Sequence, residues 1–157
     1  MMRWLWIPVV VAIVDQITKL LALQHLKGGD IALTPFLNLA LAFNTGAAFS
    51  FLANAGGWQN LFFVGVAIVV SFVILAMARR LGASDSQVMI GLMLVLGGAI
   101  GNVIDRVRFG YVIDFIDVYY RSWHWPTFNV ADSAITVGAV LLVLDALGIA
   151  YGRRRAT

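Results

Sequence analysis

The chain has 157 residues, 61% of them hydrophobic and only 12% charged. A soluble domain carries about 25% charged residues, so this balance excludes a water-soluble globule and points to one integral membrane domain over 1–157. The net charge of +3 is small and scattered, which argues against a nucleic-acid partner.

Two absences narrow the chemistry. There is no cysteine, hence no disulfide, thiol nucleophile, Cys-bound metal or lipidated Cys. There is no glutamate either, so any carboxylate chemistry comes from the eight aspartates. The two histidines, His25 and His124, are too few for a His-rich metal site.

Four apolar segments fall in chain order at about 4–26, 61–78, 88–104 and 133–151. Each is near the roughly 20 residues that a helix needs to cross hydrocarbon. The third is short and should extend by a turn. The chain begins like a signal peptide, but Asp15, Gln16 and Lys19 interrupt the apolar run and no small-x-small cleavage site follows. It reads as a retained transmembrane helix. The expected class is therefore an all-α membrane protein of four transmembrane helices.

Four spans place both termini on one side. Arg3, Arg79, Arg80, Arg153, Arg154 and Arg155 lie at the termini or in the short second loop, against Lys27, Arg106, Arg108 and Arg121 in the other two loops. The arginine clusters abut span ends, where the positive-inside bias is strongest. Both termini are expected to be cytoplasmic, with the loops at about 27–60 and 105–132 outside.

The first outer loop is apolar and aromatic. Partial alternation around Phe36, Asn38, Phe49 and Phe51 suits short strands, and Asn44-Thr45-Gly46 suits a turn. A small sheet lying on the membrane is expected, with 54–57 as a flap. An extra helix is the alternative, disfavoured by Pro35 and Gly46.

Polar residues inside the spans need partners. Asp15 and Lys19 are four apart on one helix face, either as a structural ion pair or as a pair near substrate. Gly97, Gly98 and Gly101 form a close-packing face. Asp105-Arg106 could anchor the span end, or Arg106 could hold a carboxylate ionised. Asp145, toward the cytoplasmic end of the last span, reads as structural, snorkelling or paired with the arginine tail. His124, between Trp123 and Trp125, reads as part of an interfacial aromatic belt with no evident partner.

The second outer loop carries Asp114, Asp117 and Asp132 between two apolar runs. Asp114 follows apolar Tyr111-Val112-Ile113, and burial would raise its pKa. Asp132 opens the last helix. It is either a helix N-cap or the more easily ionised member of a pair. Two acids pushed apart in this way suit acid–base work on one water. Asp117 could disturb that titration or simply face solvent.

Five stretches then resemble one family. They are Asp15-Gln16-Ile17-Thr18-Lys19, Asn44-Thr45-Gly46-Ala47-Ala48-Phe49, Gly98 to Arg106 (GAIGNVIDR), Gly110-Tyr111-Val112-Ile113-Asp114-Phe115 and Phe128-Asn129-Val130-Ala131-Asp132-Ser133. In this order they resemble lipoprotein signal peptidase, the bacterial membrane aspartyl protease family also called signal peptidase II. The resemblance implies a four-helix inner-membrane bundle with a periplasmic β-cradle and a loop over the site. It implies a metal-free, cofactor-free endopeptidase that cuts prolipoproteins just before a diacylglyceryl-modified cysteine. Asp114 and Asp132 match the catalytic pair. Asn44, Gly46, Asn102, Arg106, Asn129 and Ala131 match substrate-binding positions, and Asp15 and Lys19 supporting ones. The expected partners are prolipoprotein substrates and membrane lipid, with the enzyme a monomer.

Two rival classes remain open on the residues. Gly110-x-x-x-Asp114-x-x-Asp117 faintly suggests a metal-dependent phospholipid-headgroup transferase. Asp15, Lys19 and Asp145 could instead line a proton path in a small transporter.

Overall fold

The structure is a computed structural model that describes residues 2–46, 58–82 and 85–149. The strand pattern expected at Phe49 and Phe51, the expected flap at 54–57 and the arginine tail at 153–155 lie outside the described residues. In chain order the elements are α1 (Trp6–His25), β1 (Ile31–Thr34), β2 (Leu37–Asn44), α2 (Trp58–Ala78), α3 (Ser86–Phe109), β3 (Val112–Tyr120), β4 (Trp123–His124) and α4 (Val130–Ala146).

Among the described residues, three helical stretches, Met2–His25, Trp58–Ala78 and Ser86–Phe109, are long and apolar enough to cross a membrane. The fourth helix, α4, has 17 residues. On α2 the apolar side chains of Leu61, Phe62, Ile68, Val69 and Phe72 point outward. A helix that is apolar all round and still exposed is built for contact with lipid. The protein is an integral membrane protein of several apolar helices and a small antiparallel sheet.

α3 is the central helix and packs on α1, α2 and α4. Its glycines permit this. A Cβ at Gly97 would come within 2.8 Å of Pro8 Cα on α1, and one at Gly98 would collide with the carbonyl of Ala131 on α4. Backbones approach closely where side chains vanish, which is how helices gain contact without a hydrophobic driving force. Ile7, Ile74, Met89, Leu92, Met93 and Leu96 fill the core at the far end from the sheet.

The observed α3 is longer than the expected span at both ends, and its last turn brings in Asp105 and Arg106. Gly110, in the left-handed region at φ 80°, ends it, with its N–H on the Arg106 carbonyl. α4 begins earlier than expected because Asn129 caps it.

The sheet has the order β1-β2-β3-β4. β1 and β2 pair within 27–60, where strands are expected. The expectation stops short at the other edge of β2, which pairs with β3, drawn from the loop at 105–132, with Ala42 opposite Asp114 and Asn44 opposite Val112. The polar loop is thus half strand. Val112, Ile113 and Phe115 are buried, and Phe115 packs with Ala22 of α1 and with Leu26, which caps that helix. Phe128 then bridges to Ile116, which brings the start of α4 against β3.

Candidate active site

Asp114 sits on β3 and is 2% exposed. Its Oδ1 accepts a hydrogen bond from Asn129 Nδ2 at 2.7 Å, and its Oδ2 accepts one from Asn44 Nδ2 at 3.2 Å. Asn44 ends β2, and its own Oδ1 accepts from Gly46 N at 3.0 Å. Gly46 has φ 152° and is pressed against Phe63 and Gln59 of α2, so this turn needs a residue without Cβ.

Asp132 lies one turn into α4. It is not the N-cap. Asn129 is, and Asp132 completes a capping box with it: Asp132 N donates to Asn129 Oδ1 at 2.9 Å, and Asn129 N donates to Asp132 Oδ2 at 3.3 Å. The other oxygen, Oδ1, accepts from Asn102 Nδ2 at 2.8 Å. One residue, Asn129, therefore holds both acids, one by its side-chain amide and the other by its cap. Phe128 is locked to β3 by two-way backbone bonds with Ile116, which fixes Asn129 in place.

Burial lifts the Asp114 carboxyl to about 7, and the charge of Asp132 adds to the lift. Hydrogen bonds from Asn44 and Asn129, and the charge of Lys19, pull the other way. A cavity of about 720 Å³ opens beside the pair, lined by Asn44 and Asp132 and walled by Trp125 to Phe128.

Beneath the pair lies a second cluster. Lys19 Nζ contacts Asp15 Oδ2 at 2.8 Å, Asp105 Oδ2 at 2.9 Å and Asn102 Oδ1 at 3.1 Å. Its three donors are all used. Asp15 Oδ1 accepts from Ala131 N at 2.9 Å, and Asp105 Oδ2 accepts from Ile113 N at 3.0 Å. Gln16 Nε2 donates to Asp105 Oδ1 at 2.8 Å. This cluster pins α1, α3, α4 and β3 to one another. Asp15 and Lys19 face protein, and Ala131 is completely buried between Asp15 and Gly101.

Arg106 stands apart. Its guanidinium lies 4.7 Å over the Phe63 ring and interacts electrostatically with Asp114, Asp132 and Asp105. No ion pair within 4 Å joins it to a carboxylate among the described residues, and its Nη1 is buried without a hydrogen-bond partner. Asn60 Nδ2 of α2 donates to its backbone carbonyl at 2.9 Å.

Two groups differ from what the sequence alone suggests. Asp105 is not an interfacial anchor but a buried member of the lysine cluster. Its four-residue spacing from Gly101 puts it on the packed glycine face, a signal that was present. His124 is not without a partner: its Nδ1 lies 2.9 Å from both oxygens of Asp117. Asp117 is buried and paired rather than pointing at water.

The sequence profile described as Signal peptidase (SPase) II matches residues 7–148. The chain belongs to the signal peptidase II family. It is 51% identical to the lipoprotein signal peptidase of Paraburkholderia phytofirmans over 96% of this chain and 88% of that protein. It is 48% identical to that of Coxiella burnetii over 92% and 89%. A bacterial membrane enzyme solved by the in meso method at 2.3 Å superposes with a TM-score of 0.85 at 30% identity, covering 100% of this chain and 94% of that one. This family member is a peptidase. Its charged and amide groups converge at the junction of sheet and helices, where described residues of the five family-like stretches meet.

Proposed function

We propose that Asp114 and Asp132 are the catalytic acids of this peptidase and that they hydrolyse the signal peptide from diacylglyceryl-modified prolipoproteins, just before the lipidated cysteine. Signal-peptide removal from lipoprotein precursors is the activity of the family. The assignment of residues rests on one observation: Asn129 hydrogen-bonds both carboxylates beside a cavity large enough for a peptide.

Asp114 carries the proton. Asp132, both of whose oxygens accept hydrogen bonds, takes a proton from water as the water oxygen attacks the scissile carbonyl carbon. Asp114 gives its proton to the carbonyl oxygen, so a neutral gem-diol forms. Asp132 then passes its proton to the leaving nitrogen, Asp114 takes one back from a diol hydroxyl, and the C–N bond breaks. The products are a carboxylic acid and a free amine, and the pair returns to its starting state.

Asn44, Gly46, Asn102, Arg106, Asn129 and Ala131 bind substrate or shape its site, with Asp15 and Lys19 in support. The unpartnered Nη1 of Arg106 is a donor available to a peptide carbonyl. α4 acts as a fourth span, both termini lie in the cytoplasm, and the sheet lies on the outer face of the inner membrane. There the acyl chains of the substrate stay in lipid while its peptide enters the cavity, and confinement to the bilayer supplies positioning. The enzyme works as a monomer without metal or cofactor.

The test is a gel-shift assay on a diacylglyceryl precursor. Asp114→Asn and Asp132→Asn should each cut turnover by about 10³-fold or more while the protein still folds. A chelator should leave the wild type active. Retained turnover by either variant refutes the pair, and loss of activity to chelator favours metal chemistry.

A further inference from the structure

Asp117 comes three residues after Asp114 on β3, and strand alternation turns it to the opposite face. The proposed chemistry makes no use of it, yet it is buried. Its Oδ2 accepts from Asn38 Nδ2 on β2 at 3.3 Å, and both its oxygens lie 2.9 Å from His124 Nδ1 on β4. The half-exposed His124 ring stacks on Tyr119, with centroids 5.3 Å apart at 17°. One carboxylate thus links three strands. His124 can donate from Nδ1 whether neutral or charged, so the link does not depend on its protonation.

The segment just after His124 gives this link a purpose. Trp125, Pro126, Thr127 and Phe128 form one wall of the cavity that also holds Asn44 and Asp132. At its far end this wall is fastened through Phe128, whose carbonyl accepts from Phe115 N and Ile116 N and whose N–H donates to the Ile116 carbonyl. At its near end the fastening is Trp125 N on the Val118 carbonyl, at 2.8 Å, and β4 itself. β4 has two residues, paired as Tyr119 with His124 and Tyr120 with Trp123. It is entered through Arg121, a non-glycine residue at φ 57°. A two-residue strand behind a left-handed turn is a weak anchor. The side-chain link between His124 and Asp117 supplies what the backbone lacks.

We propose that Asp117 and His124 are a positioning pair for the reaction: they hold the strap from Trp125 to Phe128 as the wall of the cavity and so set how tightly the extended substrate peptide binds. This rests on reading that cavity as the peptide cleft of the Asp114–Asp132 pair. Neither residue touches the reacting atoms, so the pair acts on binding and leaves the chemical step alone.

The experiment measures KM and kcat of the full chain in lipid on a diacylglyceryl prolipoprotein. His124→Phe keeps a ring for Tyr119 but has no donor. Its KM should rise about tenfold, as the loss of one hydrogen bond to a carboxylate implies, with kcat within about twofold. His124→Asn presents an amide near the position of Nδ1 and should restore the wild-type KM. Asp117→Leu should raise KM like His124→Phe, and the double variant should be no worse than either alone, because both cut one link. A wild-type KM for His124→Phe, an equal rise in His124→Asn, or a loss confined to kcat would overturn the proposal. Asp114→Asn runs beside them. If it cleaves, the reading of the site has failed; if it is inert while His124→Phe behaves as wild type, the positioning pair alone has failed.

Discussion

Two pairs of aspartates lie side by side in this protein, and Asn102 touches both clusters. Asp15 and Asp105 share the ammonium of Lys19, with backbone N–H groups of Ala131 and Ile113 and the amide of Gln16 filling their other lone pairs. Asp114 and Asp132 have no cation within ion-pair distance among the described residues. Amides and one backbone N–H hold them instead, from Asn44, Asn102 and Asn129. A cation neutralises a carboxylate and locks its charge. An amide orients the carboxylate and leaves its proton free to move. The first pair is closed on all sides and fastens four elements. The second lies beside a cavity that Asp132 lines. Residue type and neighbourhood are the same and the uses are opposite, because different groups supply the hydrogen bonds.

The sharpest way to break this contrast is to remove the cation. Lys19→Met leaves two buried carboxylates uncompensated, which should destabilise the fold by about 3–5 kcal/mol. Thermal unfolding in detergent should show it, and a melting temperature near wild type would mean that the cluster is not a fastening. The Asp114→Asn variant should lose turnover and keep its fold, the converse pattern.

A second test uses pH. The folded-state pKa of Asp114 is about 7, above its ordinary 3.8, so the native protein binds more protons than the unfolded chain between those values. Its contribution to stability is fully present below the lower value and is lost as pH rises through the upper one. Wild-type melting temperature should therefore fall between about pH 4 and 7 relative to Asp114→Asn, and kcat should decline above about pH 7 as the acid loses its proton. Parallel melting curves for the two proteins would show that Asp114 holds no extra proton.

The smallest effect belongs to Arg106. If its free Nη1 meets a substrate carbonyl, Arg106→Ala forfeits about 1.5–3 kcal/mol, the usual range for a hydrogen bond with a charged partner. A loss of roughly ten- to hundredfold in kcat/KM should result, carried by KM. A wild-type value would leave the cation over Phe63 as packing alone.

Much of this was legible in the residues. The spans were readable because hydrocarbon tolerates only long apolar runs, and α2 advertises itself by carrying no charge at all. The pairing of Asp15 with Lys19 came from helical spacing. Asp114 and Asp132 stood out as acids at the edges of apolar segments. β3 was harder to see: Val112 to Tyr120 is an apolar stretch whose strand partner, β2, lies about 70 residues earlier. No local period reports a partner at that distance. Asp117 and His124 are only seven residues apart, yet it is the β3–β4 turn and its register that decide that they meet.

Composition and periodicity are enough to place this chain in a bilayer and to single out its costly polar residues. They carry that information because it is local: hydropathy, helical spacing and capping act over a few residues. Which aspartate receives a lysine and which receives only amides was settled by the docking of α1, α3, α4 and β3 around one point. That outcome depends on long-range packing across glycine faces and on strand register, which no short window of sequence contains.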